Sequence, residues 1–226
     1  MTNDIKKNID DKSYRYPNDE NHWQLFGVPI YISKSSHTLN KKEATFLNKI
    51  RNSESRPGQT NNVFSESASI LDYKEFSSLN KFVMKELKYY VHNILEIDEK
   101  KVSPYVTQSW WNFYDKTAYH HEHCHPNSYV SGVYYVQGSQ CIVFQKPNTN
   151  GYTYDFNHKK WNEVNSQIWR FAPPVGKIIF FPSFLWHQVE TNETDTTRVS
   201  MAFNSFVEGD MGTTHQYTRL KLKRKI

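Results

Sequence analysis

Four of the ten histidines in this 226-residue chain fall within six consecutive positions, 120–125, in the stretch TAYHHEHCHPNSYVSGVYYV (residues 117–136). Imidazole is the commonest metal-binding side chain, so this crowding reads as half of a metal site. In an extended strand, residues two apart point the same way. His121, His123 and His125 therefore share one face, and His120, Glu122 and Cys124 the other. Two same-face histidines with one residue between them can reach a single ion. A third ligand has to come from far along the chain, and His187 in FFPSFLWHQVE is the best placed. That requirement constrains the fold, because strands distant in sequence must lie side by side, as in a closed barrel or jelly roll. Eleven residues beyond His187, Arg198 begins an Arg-x-Ser with Ser200 on the same strand face. A fixed guanidinium beside a hydroxyl suits a carboxylate, which it grips through two parallel hydrogen bonds.

The rest of the chain reads as scaffold for these segments. From residue 102 onward, VTQSWWNFY, SYVSGVYYV, SQCIVFQKP, GKIIFFP, FLWHQVE and TRVSMAFNSFV are six strand candidates, short aromatic and β-branched runs broken by turn residues. Residues 148–169 interrupt them with weak strand character, as a long hairpin projecting from the barrel would. Upstream, LFGVPIYIS (25–33) reads as an edge strand because of Pro29, and Asn40 with Glu43 as a capping box opening a short helix. Residues 52–69, rich in Ser, Asn, Gly and Pro, read as a loop. Asp72 with Glu75 reads as a second capping box. Phe76, Leu79, Val83, Leu87, Tyr90 and Ile94 then recur at helical spacing, with Lys81, Lys85 and Lys88 on the wet face. The expected organisation is an arm over 1–21, a single domain over 22–216 with a helical buttress at 38–95 and a barrel at 102–212, and a basic tail over 217–226.

Composition sets limits on function. The net charge of +5 comes from the last eight residues, RLKLKRKI, which hold five basic groups; without them the chain is neutral. The basicity is thus a property of the tail, which argues against a nucleic-acid groove. Despite a mean hydropathy of −0.78, an aromatic share of 15% supplies apolar surface for a core. Two cysteines, Cys124 and Cys141, are too few for a disulfide framework and suggest a reducing compartment. The first residues lack the apolar core of a signal peptide and no run approaches a membrane span. A soluble, cytoplasmic protein is expected.

In this order, His-x-His-Pro, a Ser-Gly-Val-Tyr-Tyr strand, Gly-x-x-x-Phe-Pro, His and Arg-x-Ser, the pattern over residues 105–212 resembles the Fe(II)/2-oxoglutarate-dependent oxygenases. It is most similar to a group of bacterial and phage members of that superfamily. The resemblance implies a mainly β fold, a double-stranded β-helix (a jelly-roll, cupin-like barrel) with N-terminal buttressing helices. It implies that His123, His125 and His187 hold Fe(II), with His125 where most of the superfamily has Asp or Glu. It further implies that Arg198 with Ser200 binds the distal carboxylate of 2-oxoglutarate, with Tyr135, Asn112 and Tyr114 lining the same pocket. The activity implied is O2-dependent oxidative decarboxylation of 2-oxoglutarate to succinate and CO2, coupled to hydroxylation of a protein residue or small molecule.

The usual facial triad has one carboxylate, and a second register, His120 and Glu122 with His187, restores it. Strand parity does not choose between the two. Two other functions fit the same residues: a cupin-like three-histidine dioxygenase or hydrolase that uses no 2-oxoglutarate, and a metal-stabilised jelly-roll binding module. Taken singly the residues have plainer readings, His187 as a core histidine, Cys124 as a bystander, and Arg198 in a salt bridge with Glu190 or Asp195. The substrate and the oligomeric state are not legible from the sequence.

Overall fold

The computed structural model describes residues 27–138, 141–147 and 157–224. A two-residue strand, β1 (Tyr31–Ile32), precedes helix α1 (Lys41–Ser53); of the expected strand 25–33, residues 25–26 lie outside the described residues. Asn40 caps α1 as expected, accepting from the amides of Lys42 and Glu43 while the Glu43 carboxylate accepts from the Asn40 amide. The second capping box does not form. Ile70–Asp72 and Lys74–Phe76 are single 3-10 turns, and helix α2 (Ser77–Tyr89) begins without a side-chain cap of its own. The buried Glu43 of α1 supplies the missing acceptor, taking the Leu79 amide at 3.0 Å. A carboxylate from another helix thus satisfies a first-turn amide of α2, which begins at Ser77, beyond the Asp72–Glu75 pair. Helix α2 runs on into a π turn at Tyr90–Ile94. Phe76, Leu79, Val83, Leu87 and Tyr90 are all buried, and the three lysines are exposed, as the periodicity predicts.

Residues 52–69 are not a bare loop: β2 (Ser55–Pro57) and β3 (Val63–Ser65) pair as a hairpin. All six expected strands are present, as β4 (Val102–Tyr114), β6 (Val130–Gln137), β7 (Ile142–Gln145), β9 (Ile178–Pro182), β10 (His187–Val189) and β11 (Arg198–Met211). Three more join them: β5 (His120–His123), β8 (Ile168–Phe171) and β12 (Leu220–Leu222). Residues 148–156 of the expected long hairpin lie outside the described residues, but β7 and β8 pair antiparallel across it. Part of the basic tail is strand, since β12 pairs with Gly209–Met211 of β11.

The strands form two antiparallel sheets. The larger runs β1-β9-β6-β11-β4-β3-β2 with β12 beside β11, and the smaller runs β5-β10-β7-β8. Alternation along the central strands divides the interior into two cores. Trp111, Phe113, Val130, Tyr134, Ile178, Phe180, Met201 and Phe203 face the helices and pack on α1 and α2. Val133, Tyr135, Ile179, Phe181 and Ala202 face the smaller sheet, where Ile142, Phe144 and Leu185 meet them. The inward face of β11 therefore carries Arg198, Ser200, Ala202 and Asn204. Among the described residues no helix is long and apolar enough to cross a membrane.

The glycine of Ser-Gly-Val-Tyr-Tyr has a packing reason. Gly132 lies opposite Phe203 on β11, and a Cβ at Gly132 would come within 2.3 Å of that fully buried ring. Gly132→Ala is therefore expected to lower unfolding stability by about 1–3 kcal/mol through overpacking. Denaturant unfolding checks this, and a wild-type midpoint would show that the Phe203 ring has room to give.

Candidate functional site

The antiparallel pairing of β5 with β10 places His123 directly opposite His187. His125 follows two residues after the strand ends, its amide held by the Ser183 carbonyl at 2.9 Å. The ring donor atoms of these three histidines lie within 4.8 Å of one another, so the three could hold one metal ion. Each ring is anchored through Nδ1. His123 bonds the His121 carbonyl at 2.8 Å and His187 the Leu185 carbonyl at 2.9 Å. His125 Nδ1 lies 2.6 Å from Asn204 Oδ1 and 2.8 Å from Ser131 Oγ. A carbonyl can only accept, so Nδ1 carries the proton and Nε2 presents a lone pair, as a metal-bound imidazole requires.

Electrostatics agree with the tautomers. Burial, then the neighbouring His123, pulls the His187 pKa down to about 3 and that of His125 to about 4; burial also lowers that of His123. All three stay neutral at neutral pH, the form that binds metal.

The alternation of side chains expected along residues 120–125 is only partly kept. His123 and His125 do converge, but His121 is exposed, and His120, assigned to the other face, has its ring centroid 4.3 Å from that of His123. A register shift between β5 and β10 explains this: His187 pairs with His123 but Val189 pairs with His120, so one strand carries an extra residue. The His120 Nδ1 is 3.4 Å from both Asn62 Nδ2 and the Tyr114 hydroxyl. Glu122 of the second register is exposed and lines an open cleft with His121, Gln188 and Glu190. Among the described residues it is not part of the gathered donor group, nor is Cys124.

Arg198 forms a second centre. It is 1% exposed, and its guanidinium carbon lies 5.1 Å from the Tyr114 ring centroid and 5.3 Å from that of Tyr135. Its Nε and Nη1, and the Tyr135 hydroxyl, are buried without hydrogen-bond partners. Neither salt bridge suggested for it forms: Glu190 pairs with Arg170 and Asp195 with Lys116. Burial raises the pKa of both phenols, that of Tyr135 to about 12, so both remain protonated donors. Ser200 is buried opposite both Asn112 and Tyr135. An unpaired buried cation with orphaned donors is costly unless an anion completes it. The expected pocket residues Arg198, Ser200, Tyr135, Asn112 and Tyr114 are thus brought together. The sequence assigned no site role to Asn62, Asn204 or Ser131, and placed His120 at the metal only together with Glu122, because the contacts of all four are set by long-range pairing.

Residues 108–204 match the family model described as "Putative 2OG-Fe(II) oxygenase". No curated protein matches the sequence. Among solved structures the chain is similar to an oxidoreductase of the 2OG-Fe(II) oxygenase family from Burkholderia pseudomallei, at 11% identity and a TM-score of 0.54, covering 78% of this chain and 83% of that one. It is also similar to SnoN, a non-heme alpha-ketoglutarate-dependent epimerase from nogalamycin biosynthesis (10%, TM-score 0.53, 80% and 78% covered). A third is HygX from Streptomyces hygroscopicus with nickel and 2-oxoglutarate bound (9%, TM-score 0.52, 79% and 82% covered). At these identities the likeness is one of fold, the double-stranded β-helix.

The lowered histidine pKa values set a pH dependence. As pH falls below about 6.5 the unfolded chain takes up protons that the folded site refuses. The metal-free protein is therefore expected to be at full stability above that pH and to lose it progressively toward pH 4, by on the order of 1 kcal/mol per pH unit for each such histidine. His187→Gln should make the loss shallower. Denaturation midpoints across this range check it, and an unchanged slope in the variant would show that His187 is not held neutral.

Proposed function

We propose, from the match of residues 108–204 to the 2OG-Fe(II) oxygenase family model, that this protein is an Fe(II)- and 2-oxoglutarate-dependent oxygenase. His123, His125 and His187 hold the iron through Nε2, and Arg198 takes the distal carboxylate of 2-oxoglutarate. The observation that carries the proposal is the buried Arg198 whose Nε and Nη1 lack partners, on the same face of β11 as the Asn204 that bonds His125. The donor set fits Fe(II), which imidazole suits, and the orphaned donors fit a carboxylate.

When bound, iron with 2-oxoglutarate and O2 supplies oxidative decarboxylation to succinate and CO2, coupled to hydroxylation of a C–H bond in a protein residue or small molecule. The residues of this chain bind, orient and exclude water. The guanidinium fixes the far end of the co-substrate, with the Tyr135 hydroxyl and Ser200 beside it. The Tyr114 and Tyr135 rings lie 5.1 Å and 5.3 Å from the guanidinium carbon and line its pocket. Asn112 closes the pocket wall opposite Ser200. Three imidazoles leave the site one charge more positive than a triad with a carboxylate, and the dianionic co-substrate offsets this.

His187→Ala and Arg198→Ala are each expected to lower 2-oxoglutarate-dependent O2 uptake by roughly 100-fold with the fold intact by circular dichroism. Wild-type turnover in both would overturn the assignment. Calorimetry of the iron-loaded wild type separates the rival: no heat with 2-oxoglutarate would favour a three-histidine metal enzyme that does not use it.

A further inference from the structure

We infer that Asn204, backed by Ser131 and Ser183, is a positioning residue that selects which nitrogen His125 offers to the metal. The inference rests on the reading of His125 as a ligand. Its motivation is a contrast among the three rings. His123 and His187 each bond a main-chain carbonyl two residues before them. The partners of His125 Nδ1 are instead side chains from β6 and β11, so its orientation depends on which residues stand there.

Those side chains form a network with a direction. Asn204 and Ser131 are cross-strand neighbours, and Ser131 Oγ is 3.0 Å from Asn204 Oδ1 and 2.8 Å from Ser183 Oγ. Ser131 and Ser183 are fully buried. The Ser183 hydroxyl donates to Ser128 Oγ at 2.8 Å, and that of Ser128 to main-chain carbonyls of Val130 and Ser205. The Ser183 and Ser128 protons thus run away from His125, and the proton of Ser131 has Ser183 Oγ, Asn204 Oδ1 or His125 Nδ1 to go to, the last closed to it while Nδ1 keeps its own proton for Asn204 Oδ1. What faces Nδ1 is an acceptor, Asn204 Oδ1, at 2.6 Å. With the carboxamide turned over, its NH2 would face Nδ1, the ring proton would move to Nε2, and Nε2 would no longer offer the metal a lone pair. The amide orientation therefore acts as a tautomer selector. It also explains three motif residues that the co-substrate pocket leaves unused: the serine of Ser-Gly-Val-Tyr-Tyr, the serine after Phe-Phe-Pro, and the asparagine of Ala-Phe-Asn.

The test is Co(II) binding by chelator competition, with the ligand-field absorption of the loaded protein as a second readout, in the full-length wild type and in Asn204→Leu, Asn204→Asp and Ser131→Ala. Asn204→Leu removes the acceptor and is expected to weaken Co(II) binding by about 10–100-fold. Asn204→Asp keeps an acceptor at Oδ and is expected to restore affinity to within a few-fold, with a shifted ligand-field spectrum because a carboxylate makes the imidazole a stronger donor. Ser131→Ala should fall between them. Wild-type affinity and spectrum in Asn204→Leu would overturn the inference while leaving the metal centre standing. If Asn204→Leu does not fold, an unchanged spectrum in Asn204→Asp overturns it. A wild-type protein that takes up no Co(II) overturns the metal reading and this inference together.

Discussion

The antiparallel register that sets His123 across from His187 is a matter of backbone pairing alone, yet the candidate site depends on it. β10 is only three residues long and is held between β5 and β7. It therefore fixes the distal histidine against the ligand strand on one side and against Phe144 of the inner core on the other. Burial of His187 at 3% exposure follows, and burial keeps the ring neutral. The bulge between the same two strands brings His120 beside His123, where the hairpin of β2 and β3 presents Asn62 to it. A one-residue slip of β5 would exchange the two sets of side chains.

Charge is the second constraint. The cluster contributes no negative group: its three gathered side chains are neutral imidazoles, and Arg198 is buried with no salt bridge among the described residues. A folded chain tolerates such an imbalance at a functional site, where strain and unsatisfied polarity are offset by a ligand. The Tyr114 and Tyr135 rings beside the Arg198 guanidinium replace part of the lost solvation. The unpartnered Nε and Nη1 are the donors left for an anion.

Much of this was legible in the sequence, for reasons that differ from element to element. The six barrel strands announce themselves because apolar alternation is a local property, and α2 because its buried positions repeat at 3.6 residues. The hairpin at 55–65 does not, since three-residue strands such as Ser-Arg-Pro carry no period to detect. β5 carries no apolar alternation, being four polar residues, and its extended form was read from the histidine spacing alone. The cap on α2 could not be read locally because Glu43 belongs to another helix. Within the site, residue types and chain order pointed to His123, His125, His187 and Arg198. Parity misled over His120 because a bulge breaks the period of two, and Asn204 was invisible because its partner lies 79 positions away.

The proposed assembly is one ion on His123, His125 and His187 with a dicarboxylate anchored at Arg198. An anaerobic crystal structure with Fe(II) and 2-oxoglutarate tests it most directly. The expected result is iron bound through the three Nε2 atoms, with the distal carboxylate of 2-oxoglutarate on the Nε and Nη1 edge of Arg198. Iron bound by Glu122, or 2-oxoglutarate seated away from Arg198, would contradict it.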